Sequence, residues 1–399
     1  MQGSTRIGIL IPEFPGQTHI FFWREIEALR SCGADVKIIS TRKPGSENFH
    51  EFHNQVGDTF YLTTLPVLRI LLFFVCNISW LLRSLSYCFK LHGGLRTKLR
   101  TTLFIPFSAN LIMYCRKHHI NHMHVHSSAD AAHIVSLAGL SNEFTYSICV
   151  HGNLNQYGDN HAAKFRKASF IVTVTNPLSR EVSSVLPDIP SSRIPVIPMG
   201  VDIEKFRPRT HKNQSSPNFV ITSVSRLAHV KGHSFALQAL AKLPNSIRFR
   251  YNIVGDGDMR EALEREAKDL GIADKVEFFG FKKEGEVYEI LQQTDIFMLT
   301  SFGYGEAAPV AIMEAMACGV TPICSIIGGT TDMITDRHDG TLVKQKDVNH
   351  ITEALMYLLS DRDRLQEISM NARKTAETKF CHRRSAYKLF EHIQSVHTI

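Results

Sequence analysis

Acidic residues are missing from one long stretch of this 399-residue chain: none lies between Asp58 and Asp130. Cations stand in that gap, at Arg69, Arg83, Lys90, Arg96, Lys98, Arg100, Arg116 and Lys117, interleaved with Leu, Ile, Phe, Trp80 and Tyr87. Residues 1–198 hold 19 Lys+Arg against 12 Asp+Glu, and the remainder holds 26 of each, so the net charge of +7 belongs to the first half. The eight cysteines include no C-x-x-C pair. That suits reduced thiols in a cytosolic setting and argues against a disulfide framework. The N-terminal segment lacks an apolar core of signal-peptide length. No G-x-G-x-x-G follows the first strand, so an NAD-type site is not indicated there.

What is present is length enough for two domains with full cores. Residues 6–11 read as a strand and 12–17 as a loop containing Gly16. Thr18 is placed to cap a helix over 19–32, Gly33 to close it, and residues 36–40 to form the next strand. This is a βαβ unit. Residues 59–117 read as helical. Residues 122–126, 145–150, 170–175 and 193–198 read as short strands. A polar stretch over 207–218 reads as a linker. Strands are then expected at 219–224, 249–254, 275–279, 295–299, 321–324 and 341–344, with helices between them and two more over 361–379 and 382–397. The fold class expected is α/β, with two Rossmann-like doubly wound domains at 1–198 and 218–380. The segment 199–217 links them, and a C-terminal helix within 381–399 crosses back to the first domain. Ligand is expected in a cleft at the carboxyl ends of the strands.

The densest chemical signal lies between Asp295 and Gly319. A buried strand, a small-residue loop and a helix starting near Pro309 bring free N–H groups and a positive dipole end to one point. That is a phosphate site, and it is flanked by Glu306 and Glu314. Phosphate does not want carboxylates, so the ligand should also carry hydroxyls, as a nucleotide sugar does. Arg226 and Lys231, in the loop after the first strand of the second domain, are two cations suited to a diphosphate.

Other motifs are weighed against plainer readings. Asp256-Gly257-Asp258 reads as a turn, with Asp258 capping the next helix, rather than as a metal site. His151-Gly152 ends a strand and is read either as a cleft residue or as a satisfied strand-end histidine. The run from His118 to His126 holds five histidines, but no carboxylate or cysteine is close in sequence, so it is not read as a zinc site. Residues 65–82 are apolar for nearly a membrane-spanning length, interrupted by Pro66, Arg69, Asn77 and Ser79. They fit a mixture of buried helix and surface attracted to anionic lipid. Nucleic acid is set aside because no binding motif accompanies the charge.

Together Gly200-Val-Asp202…Phe206, Arg226…Lys231-Gly232, Gly255-Asp-Gly257, Glu306-x7-Glu314 and Gly328-Gly329 resemble the family 4 retaining glycosyltransferases of GT-B fold. Glu13-Phe-Pro15…Thr18…Arg24-Glu25-Ile26 and His151-Gly152 are similar to members that build bacterial exopolysaccharides and lipopolysaccharides. The resemblance implies that Glu306 contacts donor-sugar hydroxyls and that Glu314 accepts from the ribose. It implies that Arg226, Lys231 and N–H groups near Ala308, Pro309 and Val310 hold the diphosphate. His151 would lie beside the transferred sugar, and Gly16 in a loop approaching donor or acceptor. Where members carry a Gly-Phe-Gly-like run after the first Glu, this chain has Ala307-Ala308.

The expected activity is metal-independent, retaining transfer from a UDP- or GDP-sugar to a hydroxyl of a glycan or lipid-linked acceptor. No cofactor beyond the donor is expected. The expected setting is cytoplasmic, peripheral to the inner face of the plasma membrane. Alternatives are a non-catalytic partner of this fold in a polysaccharide-assembly complex, and a nucleotide-sugar epimerase.

Overall fold

The computed structural model describes residues 5–15, 20–45, 59–209, 218–304 and 306–396. The chain divides into two compact units, Met1–Ile197 with Ser385–Ile399, and Pro198–Arg384. Gly16, Thr18 and residues 210–217 of the expected linker lie outside the described residues.

The first unit is built on strands β1 (Arg6–Glu13), β2 (Asp35–Arg42), β3 (Thr59–Tyr61), β4 (His122–Val125), β5 (Thr145–Val150) and β6 (Phe170–Thr173). They pair in the order β3-β2-β1-β4-β5-β6, all parallel. Parallel sheets are covered on both faces, which is why β4 and β6 are buried along their whole length. The first helix, Ile20–Ser31, ends where Gly33 takes φ +90° and donates its N–H to Arg30 O.

Two expectations for this unit need correction. The stretch 59–117 opens with a strand and then breaks into helices Val67–Cys76, Ile78–Lys90, Leu95–Thr102 and Ile105–His118. The first two meet at a bend of 98°. Asn77 sits at the break, and its side-chain Nδ2 donates back to Phe73 O at 2.8 Å, closing off one helix as the next begins. Residues 193–198 form no strand; a single bridge, Thr173 to Val196, is what pairing remains.

The second unit has β7 (Asn218–Val224), β8 (Arg248–Val254), β9 (Val276–Gly280), β10 (Ile296–Leu299), β11 (Thr321–Ser325) and β12 (Thr341–Val343). Their order is β12-β11-β10-β7-β8-β9, again parallel. Ile221, Ile253, Met298 and Ile323 lie fully buried at its core. A short helix, Thr330–Met333, follows the Gly328-Gly329 pair.

The described part of the expected linker is packed structure. Val201 N–H donates to Phe380 O at 2.7 Å, and His382 N–H donates to Val201 O at 3.1 Å. Arg373 Nη1 donates to the carbonyls of Ile203, Phe206 and Ala317 at 3.2, 2.8 and 2.6 Å. Asp202 Oδ1 accepts from the N–H groups of Glu204 and Lys205. The Gly200-Val-Asp202…Phe206 motif therefore ties this segment to the C-terminal helices and carries structure. The last helix, His382–Val396, belongs to the first unit from Ser385 onward, where His392 packs against Phe170 at 5.5 Å.

Candidate functional site

In the second unit, β7 and β10 are neighbours, and their carboxyl ends bring two loops together. The β7 loop carries Arg226 and, in a single helical turn over His229–Lys231, Lys231. Gly232 follows in the left-handed region at φ +69°. A Cβ there would fall 2.1 Å from Thr300 O, so only glycine lets the loop lie this close to the end of β10. Phe302 N–H donates to Val230 O at 2.9 Å and fixes the two loops in register.

Glu306 lies in the β10 loop, 9% exposed. Its Oε1 accepts from Lys231 Nζ and, at 3.0 Å, from Ser301 Oγ. Seventy-five residues separate the lysine from the carboxylate. The loop is pinned from its other side by Gly328, where a Cβ would meet Glu306 O at 1.8 Å. Glu314, 8% exposed, lies on helix Val310–Ala317. Arg226 is exposed and, among the described residues, makes no ion pair. His233, just after Lys231, meets Ser225 Oγ at 2.9 Å through Nε2. Burial, assisted by the Lys231 charge, lowers its pKa to about 4, so it is neutral near neutral pH.

Two sequence expectations change in detail. Pro309 is the cap of its helix and has no N–H to offer. Ile312 N–H already donates to Pro309 O, which leaves Val310 and Ala311 as the first helical N–H groups without intrahelical partners. Asp258 does not cap the helix Arg260–Asp269; Met259 stands at that position, and no side chain caps it. The turn expected there is present, with Gly255 and Gly257 at positive φ. Ser301 joins the site only through the fold: a lone serine before a glycine loop signals nothing until the loop folds back.

In the first unit, His151 lies immediately after β5. Its Nε2 lies 3.0 Å from His126 Nδ1, and His126 Nε2 lies 2.8 Å from Glu25 Oε1 on the first helix. Phe22 and Phe21 of the same helix flank these rings, Phe22 at 4.5 Å from His126 and Phe21 at 5.6 Å from His151. Burial raises the Glu25 pKa, with the His124 charge opposing. Burial, with His126 beside it, lowers the His124 pKa to about 3. The ring tautomers are coupled by elementary hydrogen-bond logic. An ionised Glu25 can only accept, so the His126 proton stays on Nε2 facing it, and His126 Nδ1 then accepts from His151 Nε2–H. A protonated Glu25 reverses both assignments.

The sequence showed no cysteine or carboxylate near the histidine run, yet the fold supplies both. Cys149 comes with His124 and His126 to within 4.8 Å between ligand atoms, and Glu25 is adjacent. Both ring nitrogens of His126 already face Glu25 and His151, so we assign no ion to this group. His122 and His124 serve strand pairing: His122 bonds Thr145 Oγ1 and Ser147 Oγ, and His124 bonds Ser147 Oγ at 2.7 Å.

Residues 203–375, nearly the whole second unit, match the family described as glycosyl transferases group 1. The chain resembles the group 1 glycosyl transferases through that unit. It is 25% identical over 397 residues to WcaL of Escherichia coli strain K12, a protein named for colanic acid biosynthesis, covering 94% of this chain and 96% of that one. It is 32% identical over 196 residues to the amylovoran biosynthesis glycosyltransferase AmsK of Erwinia amylovora, covering 48% of each. The crystal structure of Anabaena Alr3699/HepE in complex with UDP matches with a TM-score of 0.75 at 16% identity, covering 98% of this chain and all of that chain. That likeness shows the fold, two Rossmann-like domains of the GT-B class.

Proposed function

We propose that this protein is a glycosyl transferase that moves a sugar from a UDP- or GDP-sugar to a hydroxyl of a glycan or lipid-linked acceptor in cell-surface polysaccharide synthesis. In this reading the anomeric configuration is retained and no metal takes part. The observation that carries the proposal is the Lys231–Glu306–Ser301 cluster beside the start of helix Val310–Ala317. A cation, a carboxylate and free helix N–H groups in one loop pair offer partners for a diphosphate and for sugar hydroxyls. The names of WcaL and AmsK support the polysaccharide setting, and the UDP held by the Anabaena protein supports a uridine donor.

Each residue then has a task. Lys231 leaves Glu306 for the donor diphosphate, joined by Arg226 and the N–H groups of Ala308, Val310 and Ala311. Glu306, released, accepts from sugar hydroxyls, while Glu314 accepts from the ribose. The family resemblance assigns Gly16 to donor or acceptor and His151 to the transferred sugar. As the bond from the anomeric carbon to the phosphate oxygen breaks, the acceptor oxygen bonds that carbon from the same face. Its proton passes to the leaving phosphate. Stabilisation of that leaving group by preorganised positive charge is the main catalytic term.

A thermal-shift panel of UDP-, GDP- and ADP-sugars tests donor binding, because a ligand of the native state raises the melting temperature by mass action. No shift with any of them contradicts the proposal. Product anomer assignment by proton NMR tests retention, and loss of turnover in EDTA would contradict metal independence.

A further inference from the structure

Seventeen large apolar side chains are exposed among the described residues, and eleven of them fall between Val67 and Leu103. Ten sit on helices Val67–Cys76, Ile78–Lys90 and Leu95–Thr102 and Leu103 closes the last of them, with Leu68 at 73%, Val75 at 77% and Leu82 at 60% exposure. Scattered exposed leucines are ordinary, but a concentration of this kind marks an interaction surface. The opposite faces of the first two helices are anchored. Ile70, Phe73 and Trp80 are buried, Phe73 and Trp80 meet edge to face, and Trp80 Nε1 donates to Leu137 O at 3.0 Å.

We propose that these three helices dock the protein on an anionic lipid bilayer, lying in its interface. Charge decides between occupants. The patch lies in the acid-free stretch, and among the described residues Arg69, Lys90, Arg96 and Lys98 make no ion pair; Arg100 is neutralised by Asp130 at 2.9 Å. A second copy of the chain would bring the same cations against these. A nucleic-acid backbone would satisfy the cations and leave the leucines in water. Anionic lipid takes both, with phosphate headgroups at the cations and acyl chains at the leucines. Spanning is a different arrangement: no single described helix is long and apolar enough to cross a membrane, and the bent pair could do so only by withdrawing Phe73 and Trp80 from the core.

Flotation of the full chain with phosphatidylcholine vesicles, with and without phosphatidylglycerol, tests this. The protein is expected to float with the anionic vesicles and to lose binding as salt rises. The exposed pair Lys90→Glu and Arg96→Glu should weaken partitioning by about tenfold or more, since each cation near such a surface is worth about fivefold. Leu72→Gln with Val75→Gln should weaken it comparably, with the melting temperature unchanged because both positions are exposed. UDP-sugar binding should survive in both variants, so failure here is separable from failure of the proposed reaction. The proposal is overturned if the wild type stays unbound with anionic vesicles, or if both variants bind as it does. It is equally overturned if the Leu72/Val75 variant instead abolishes a dimer or binding to DNA.

Discussion

Lys231 bonds Glu306 and is assigned to the diphosphate in the proposed reaction, so its two partners share one cation. Lys231→Ala should therefore lower kcat/KM by about 10²–10³, the scale of losing one preorganised donor. Release of the nucleotide from the donor measures it, and an unchanged rate would remove Lys231 from the site. Glu306→Gln should raise KM for the sugar donor while preserving affinity for the free nucleoside diphosphate, which isothermal titration separates. In the first unit, Glu25 is faced by His126, His124 and Cys149. Its pKa is raised, so it carries a proton to higher pH than an ordinary carboxyl. Ionisation reverses the tautomers of His126 and His151. The expected outcome is a limb in the kcat–pH profile as pH rises through the Glu25 pKa, absent in Glu25→Gln, which cannot ionise. Identical profiles would show that His151 acts independently of that chain.

At the scale of elements, the loops depend on glycine geometry. Gly232→Ala should cost stability, because φ +69° is strained for alanine and its Cβ meets Thr300 O. It should also weaken nucleotide binding by displacing Lys231; urea unfolding and titration with UDP read the two losses separately. The strands were legible because buried parallel strands leave short apolar runs, as in Ile296–Leu299, and Pro309 marked its helix start from sequence. The stretch 59–117 was not legible. Residues 65–82 are apolar almost throughout, so no change of polarity marks where the first helix stops, and the break at Asn77 depends on a local side-chain bond. The contacts that make the site were out of reach for another reason. Lys231 meets Glu306 because β7 pairs with β10, and His126 meets His151 because β4 pairs with β5. No spacing in the chain encodes either pairing.

Across the whole molecule, three buried histidines set the response to acid. His124 and His133 in the first unit have pKa values lowered to about 3, and His233 in the second is lowered to about 4, burial being the main cause in each. They are neutral when folded and take up protons at about 6.5 when unfolded. Their contribution is therefore complete above pH 6.5 and is lost as pH falls below it, at about 1.4 kcal/mol per histidine per pH unit. Glu25, with a raised pKa, works in the opposite direction and offsets part of this. The melting temperature should fall between pH 6.5 and pH 5, and His233→Gln should flatten part of that slope; a flat wild-type profile would contradict the burial of these rings as charge-free groups. The most direct test of the central claim is nucleotide release from UDP-glucose and GDP-mannose by the purified chain and its Lys231→Ala variant, in the presence of EDTA. The account predicts turnover of at least one donor by the wild type and a loss of about 10²–10³ in the variant. Equal turnover by both proteins, or turnover that requires a divalent metal, would contradict it.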